Sequence, residues 1–488
     1  MSGADLITRD EHAKLAEAIA VLGETARDLG LQPPEVHFAV VPAEIMYELA
    51  AYHLPARFPH WSHGAQYHRQ KTRYDYGLEK IYELVLNTEP CAAYLLESNS
   101  LIEQKLVVAH VLAHADFFRR NIYFRETNRQ MHDSARLHAE LVQRYEEEQG
   151  IAAVEQTLDA ALSIAAHVDP AAGAFRRKTA EEYERQRLHP PDEPGSEYDD
   201  IWYLAGKERK SPDRRRRAPP EPERDLLRFL AEASPQLEEW QRAILHLVRE
   251  EWLYFYPNMR THVMNEGYAA FWHERILERA PLDPDEHVRF RQMHAGLVAQ
   301  GHRFAINPYA VGYKMWRDIE RRWQEPEEER TWYGAPIKRK GGEGLAKVFA
   351  VAAEYRDAEF VRAFLTERLV EELDLYVYAF EGDAKRKDGC WVVGEAAWQQ
   401  VRTALVGEFT GLGVPAISVV DGDYRRQGEL YLAHDFESDH RPLDLEYARR
   451  TLVHVQRLWG RPVHLETAVE GKGTLLSYDG NAAAQRTL

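Results

Sequence analysis

Near residue 373 the hydrophobic period of the chain changes, and that change limits the folds open to it. Upstream, apolar residues recur at helical spacing in residues 9–29, 126–147 and 151–166, in DLLRFLAEASPQLEEWQRAILHLVREEW from Asp225, and in THVMNEGYAAFWHERILERA from Thr261. Downstream, LDLYVYAF, AISVVDGDY, GELYLAHDF and RPVHLETAVEG read as strands and turns, alternating with helices at 394–408 and 443–459. The expectation is a mostly α fold followed by a small α+β domain over 373–488. There is no internal repeat.

The helical part opens with a little β-structure. Val36 to Val41 reads as a short strand, and IYELVLNTEPCAAYLLE (81–97) as two strands around an Asn-Thr-Glu-Pro turn. A long helix follows, with Ser98 or Ser100 as its N-cap. Residues 53–77 carry His53, His60, His63 and His68 among aromatics without a clear period, and read as loop. Between 188 and 222, eight helix-breaking positions (Pro190, Pro191, Pro194, Gly195, Pro212, Pro219, Pro220 and Pro222) surround a basic run, Arg214 to Arg217. The domain expectation is therefore 1–188, a Pro/Arg-rich linker or insert at 189–222, a helical remainder at 223–372, and the α+β domain at 373–488. The linker is expected to be accessible to trypsin at its Arg run.

Charge and cysteine usage exclude several roles. The net charge of −17 argues against a general nucleic-acid binder, and the Arg run has no interleaved aromatics on which bases could stack. Cys91 and Cys390 are too few for a disulfide framework or a thiolate zinc site, which fits a reducing cytoplasm. The N-terminal MSGADLITRDEH has no basic and then apolar leader. Apolar runs of roughly ten residues fall short of the ~20 that span a bilayer. GxxxxGK[ST], GxGxxG and GxSxG are all missing from the sequence.

Two segments carry candidate chemistry. In VVAHVLAH, His110 and His114 stand at i, i+4 on one helical face, a spacing that can grip one metal ion. With 22 His in the chain, chance supplies about one such pair, and a satisfied core or surface pair is the default reading. In HVMNEGYAAFWH, His262, Glu266 and His273 lie near one face, which alone describes an amphipathic core helix.

Together the two segments resemble known metal helices. VVAHVLAHADFF is similar to the zinc helix of gluzincin aminopeptidases, V-x-A-H-E-L-A-H-x-x-F, and NEGYAAF to their third-ligand helix, N-E-G-F-A-x-Y. The resemblance implies a gluzincin-like core, Zn2+ as cofactor, and His110, His114 and Glu266 as metal ligands. Two departures accompany it. Val111 stands where the general-base Glu belongs, and 152 residues separate His114 from Glu266 instead of a short gap. A surrogate base has to come from elsewhere, and Glu83, Glu103 and Glu251 are the candidates. Ala109 and Ala113 on one helix, with Gly267 and Ala269 on the other, are expected to let the two backbones approach.

A wider resemblance runs from about residue 10 to the C-terminus. HWSHG (60–64), YELVLNTEPCAAYLLESN (82–99), LVVAHVLAHADFFRRN (106–121), the NEGYAAFWH helix, NPYAVGYKMWRDIE (307–320), LTERLVEELDLYVY (365–378), DGDYRRQGELYLAH (421–434) and LWGRPVHLET (458–467) resemble the SpoVR family, the stage V sporulation protein R group. That resemblance implies a cytoplasmic protein of spore-cortex or cell-envelope development. It also implies a PrkA-type serine protein kinase and a von Willebrand A-like protein as partners. The alternative is a metal-dependent zinc hydrolase of degenerate gluzincin type. Because the metal-ligand spacings all lie before residue 280, the 373–488 domain is expected to serve as a binding or regulatory module.

Overall fold

The computed structural model describes residues 9–76, 80–173, 222–299, 306–325, 327–330, 336–339, 341–383, 388–395, 397–436 and 441–488. The expected linker, with its Arg214–Arg217 run, lies outside the described residues except for Pro222. In chain order the elements begin with α1 (Arg9–Asp28), β1 (Val36–Val41), α2 (Ala43–Tyr52), α3 (Trp61–Asp75), β2 (Glu83–Leu86), β3 (Cys91–Leu96), α4 (Leu101–Arg120), α5 (Met131–Gln149) and α6 (Ile151–Ser163). Next come α7 (Leu226–Ala233), α8 (Glu239–Arg260), α9 (His262–Arg279), α10 (Pro284–Leu297), α11 (Pro308–Gln324), β4 (Glu327–Arg330), β5 (Pro336–Arg339), α12 (Gly344–Glu354), α13 (Asp357–Phe364) and α14 (Glu367–Glu372). The chain closes with β6 (Val377–Asp383), β7 (Asp388–Glu395), α15 (Trp398–Gly411), β8 (Ile417–Tyr424), β9 (Glu429–His434), α16 (Leu445–Trp459), β10 (Val463–Val469), β11 (Lys472–Tyr478) and β12 (Ala483–Thr487).

The fold is mostly helical, with a small N-terminal sheet and a larger C-terminal one, as the change of period suggests. The contacts form two compact units that do not follow chain order. One unites 1–151 with 254–413, and the other unites 152–253 with 414–488. The sequence-based division at 188, 222 and 372 cuts across both. In particular, β6, β7 and α15 belong with the first unit.

In the first unit β3 is central, pairing parallel with β1 and antiparallel with β2. Its core joins α1, α4, α9, α11, α13 and α15 through buried side chains such as Leu22, Val108, Phe117, Tyr268, Trp272, Trp316, Phe360 and Val401. Helix α4 is buried almost all round from Leu106 to Phe118, so it is an interior helix rather than an amphipathic surface one. Residues 61–75, read from sequence as loop, form helix α3. His60 caps it by accepting from the Ser62 N–H, and only His63 is buried on it. An amphipathic period built from His and Tyr in place of aliphatics is poorly visible to hydrophobic patterning.

In the second unit five strands run in the order β12–β11–β10–β9–β8, with β9 and β10 parallel and the other pairs antiparallel. Helix α16 makes the crossover between the two parallel strands, as parallel pairing requires. It stops at Gly460, whose φ of +78° is left-handed and cheap only for glycine. Among the described residues no helix is long and apolar enough to cross a membrane.

Candidate metal centre

Helix α4 is anchored at its start. The Ser100 N–H donates to the Glu103 carboxylate at 2.6 Å, so Ser100, not Ser98, is the N-cap. Helix α9 is anchored by a residue far away in sequence. Asp357 accepts from the N–H groups of Val263 and Met264 at 2.9 and 2.8 Å, satisfying donors that the helix start would otherwise leave open. Gly267 of α9 packs against α11. A methyl group there would stand 2.3 Å from the Gly312 backbone, and one on Gly312 would stand 2.1 Å from the Val263 carbonyl oxygen. The small residue at 267 therefore serves the α9–α11 contact, whereas the sequence reading assigned it to the approach of α4. Buried Ala109, Ala113 and Ala269 remain in the common core with α4.

These two anchored helices bring His110, His114 and Glu266 together across the 152-residue gap. One potential ligand atom from each lies within 4.8 Å of the others. Glu266 Oε2 stands 3.6 Å from His110 Nε2 and 3.5 Å from His114 Nε2. Both distances are too long for a hydrogen bond. They match the edge of a tetrahedron of about 3.4 Å expected for ligands about 2.0–2.1 Å from a shared zinc ion. Glu266 Oε2 is buried and has no hydrogen-bond partner. Such an orphaned carboxylate oxygen is rare in a protein interior and calls for an explanation.

The outer nitrogens are held. His114 Nδ1 is 2.9 Å from Asn265 Oδ1, an acceptor, which places the proton on Nδ1 and leaves Nε2 facing Glu266. His110 Nδ1 is 2.9 Å from His273 Nδ1. Exposed His262 approaches the other Glu266 oxygen at 3.7 Å.

The electrostatics follow from burial and proximity. Burial alone would raise Glu266, but the two imidazoles outweigh it and hold the carboxyl well below its ordinary range. Burial pushes His110 down to about 4. For His114 burial acts downward, yet the nearby Glu266 carboxylate, with the hydrogen bond to Asn265 and the Glu83 carboxylate, wins and raises it.

The three candidate surrogate bases stand in different places. Glu83 of β2 has Oε1 4.0 Å from His110 Nε2, with 19% of its side chain exposed. Burial, reinforced by Glu266 and opposed by His114, lifts it to about 7. Glu103 caps its own helix and pairs with Lys80 at 3.2 Å. Glu251 is buried on α8, in the second unit. Beside His110 and Glu83 lies a cavity of about 530 Å³ whose walls include Lys80, Tyr82, Leu106 and Tyr309. Burial, helped by Glu266 and Glu83, keeps the Tyr309 phenol protonated far above its ordinary range.

Sequence reasoning did not assign roles to Asn265, Tyr309 or His294. Asn265 and Tyr309 sit inside the motifs NEGYAAF and NPYAVGY, which was the available signal. His294 had none, since it lies on α10 outside both of the motifs that carry the metal-helix resemblance.

Comparison with known proteins agrees over almost the whole chain. The Escherichia coli (strain K12) protein YcgB is 30% identical over 430 residues, covering 85% of this chain and 83% of its own. No solved structure matches, so the likeness to gluzincins stays with the two helices. The family model for SpoVR like protein matches residues 9–413, and the model for the SpoVR-like C-terminal domain matches 415–470. Their junction coincides with the unit boundary at 413, and with that match across both units the chain belongs to the SpoVR family.

Proposed function

We propose that this SpoVR chain carries a catalytic divalent-metal centre, with His110, His114 and Glu266 as its protein ligands and zinc as its ion. One observation carries the reading. The buried, unpartnered Glu266 Oε2 faces the Nε2 atoms of two imidazoles at 3.5 and 3.6 Å. With His114 fixed by Asn265, lone pairs and a carboxylate converge on one point, an arrangement that favours a cation there. Two His and one carboxylate form the donor set of catalytic zinc sites, which keep a fourth position open.

A bound ion of this kind supplies Lewis acidity, lowering the pKa of water and polarising a carbonyl. The remaining work falls to the chain. Glu83 takes the place left by Val111. A carboxyl lifted to about 7 at the edge of the cavity can accept and return a proton near neutral pH. Tyr309, held protonated, can donate to a developing oxyanion. The apolar part of the cavity, from Leu106, Val107 and Met293, excludes water around the reacting group. The activity that fits is hydrolysis in cell-envelope or spore-cortex development. Within that role we place the chain in the cytoplasm, acting with a PrkA-type serine protein kinase and a von Willebrand A-like protein.

Metal analysis of the purified protein tests this. About one zinc per chain is expected in the wild type and close to none in His110→Ala. Equal, substoichiometric metal in both would defeat the reading.

A further inference from the structure

Outward from His110 runs a line of buried groups that the ligand set does not include. His110 Nδ1 is 2.9 Å from His273 Nδ1, and His273 Nε2 is 2.8 Å from His294 Nδ1. His294 Nε2 then faces Glu274 Oε1 at 3.7 Å. Glu274 accepts from Arg291 at 3.0 Å and from the Tyr313 hydroxyl at 2.7 Å, and Arg317 donates to that hydroxyl at 2.9 Å. His110, His273, His294 and Glu274 are all buried.

This line has a polarity. A neutral imidazole offers one N–H and one lone pair, while an ionised carboxylate only accepts. The Arg291 guanidinium and the Tyr313 hydroxyl donate into Glu274, as suits an ionised acceptor. The carboxylate therefore favours an N–H on His294 Nε2, leaving the lone pair on Nδ1. That lone pair calls for an N–H on His273 Nε2, which leaves a lone pair on His273 Nδ1. The latter in turn calls for an N–H on His110 Nδ1. The His110 lone pair is then on Nε2, facing Glu266. The reverse polarity would set a lone pair against the Glu274 carboxylate and an N–H toward Glu266 Oε2, 3.6 Å from His110 Nε2, so the carboxylates at the two ends compete. Glu274 is the end that Arg291 and Tyr313 already hold in place as an acceptor.

We propose that Glu274, acting through His294 and His273, fixes His110 in the Nδ1–H tautomer and so presents its Nε2 lone pair for metal ligation. These three are positioning residues, because none reaches the ligand point. The inference rests on the metal reading for its purpose, but its first test needs no metal.

In that test the metal-free full-length chain, labelled with 15N-histidine, is examined by long-range proton–nitrogen correlation. His110 should show the Nδ1–H pattern, and His273 and His294 the Nε2–H pattern. In His273→Phe, which keeps a ring but offers no acceptor, His110 should no longer hold one tautomer. Glu274→Gln, which replaces the acceptor-only end, should have the same effect and serves if His273→Phe does not fold. An Nε2–H pattern for His110 in the wild type overturns the proposal whatever the metal result.

The second test is Co2+ competition against a chelator. His273→Phe should weaken binding ~10–100-fold, and His273→Gln, which can accept from His110 and donate to His294, should stay within about threefold of wild type. Unchanged affinity in a folded His273→Phe would also overturn it. If the wild type binds no Co2+, the metal centre itself falls, while the tautomer measurement still decides this proposal.

Discussion

Glu266 is costly for the protein to keep as an isolated anion, since a buried carboxylate oxygen without a partner is destabilising unless a cation faces it. The proton is the only competitor for that role among the three donors. Glu266 is held well below its ordinary range and His110 near 4, so His114, which is raised, is the last to release its proton. Metal binding should therefore expel about one proton in mildly acidic solution. Affinity should climb ~10-fold per pH unit while His114 is protonated and flatten above its pKa. A competition titration from about pH 5 to about pH 8 checks this, and a flat profile would remove His114 from the ligand set. Glu83 invites a separate experiment. Glu83→Gln should bind metal within about threefold of wild type, because Glu83 is not a ligand, while any hydrolytic rate falls by about 10²–10⁴. Loss of metal from this variant would recast Glu83 as a ligand. That His110, His114 and Glu266 converge was legible in the sequence because they sit in two motifs, the histidines on α4 and the carboxylate on α9. The choice among Glu83, Glu103 and Glu251 was not made there: the Ser100-x-x-Glu103 spacing of a capping box was a usable sign that Glu103 is spoken for, whereas the place of Glu83 depends on the β2–β3 pairing, which leaves no mark at the carboxylate.

Between elements, the ligand geometry depends on helices meeting at fixed depth. Gly267 and Gly312 form the closest approach between α9 and α11, and a Cβ on either would press into backbone that has no slack. Gly267→Ala and Gly312→Ala should each cost about 3 kcal/mol or more, at the upper end of overpacking penalties, and should weaken metal binding by moving Glu266. Gly64→Ala on α3, where a Cβ meets nothing within 4 Å, should instead stabilise by about 0.5–1 kcal/mol. Thermal unfolding of the three variants separates these outcomes, and a neutral Gly312→Ala would contradict the close packing. The two long helices and the β2–β3 hairpin were readable from periodicity and turn residues. The partner of Gly267 was not, since small residues show that something approaches without showing what. Helix α3 escaped because its period is carried by His and Tyr.

For the whole molecule, the two compact units make any cut by chain order hazardous. A chain ending at residue 372 loses α15, whose Val401 and Val406 belong to the core that also holds Phe360 and the His helix. Such a fragment should fail to give a cooperative unfolding transition and should not retain metal. A cooperative, metal-binding 1–372 fragment would show that α15 is dispensable. Buried histidines spread over both units make a second prediction. Burial lowers His63 to about 3 and His110 and His167 to about 4, from an ordinary 6.5. The unfolded chain therefore takes up more protons than the folded one below 6.5. Their contribution is complete above that value and is lost as pH falls toward 4, by up to ~1.4 kcal/mol per pH unit for each group. Glu83 and Asp357, lifted to about 7 chiefly by burial, bind protons more readily folded than unfolded in the same window and offset part of this, while His114, raised, adds stability that is full below 6.5 and lost as pH rises through its folded pKa. Calorimetry should show the melting temperature dropping across this window, and a constant value would contradict the burial of these rings.

The central claim is that α4 and α9 present two imidazoles and one carboxylate to a single ion. X-ray absorption at the zinc edge of the loaded protein tests it most directly. Nitrogen and oxygen scatterers at about 2.0–2.1 Å with the outer-shell signature of two imidazoles are expected, with loss of an oxygen contribution or of the ion itself in Glu266→Gln. A sulfur shell near about 2.3 Å, or a spectrum of zinc without imidazole that is unchanged in Glu266→Gln, would contradict it.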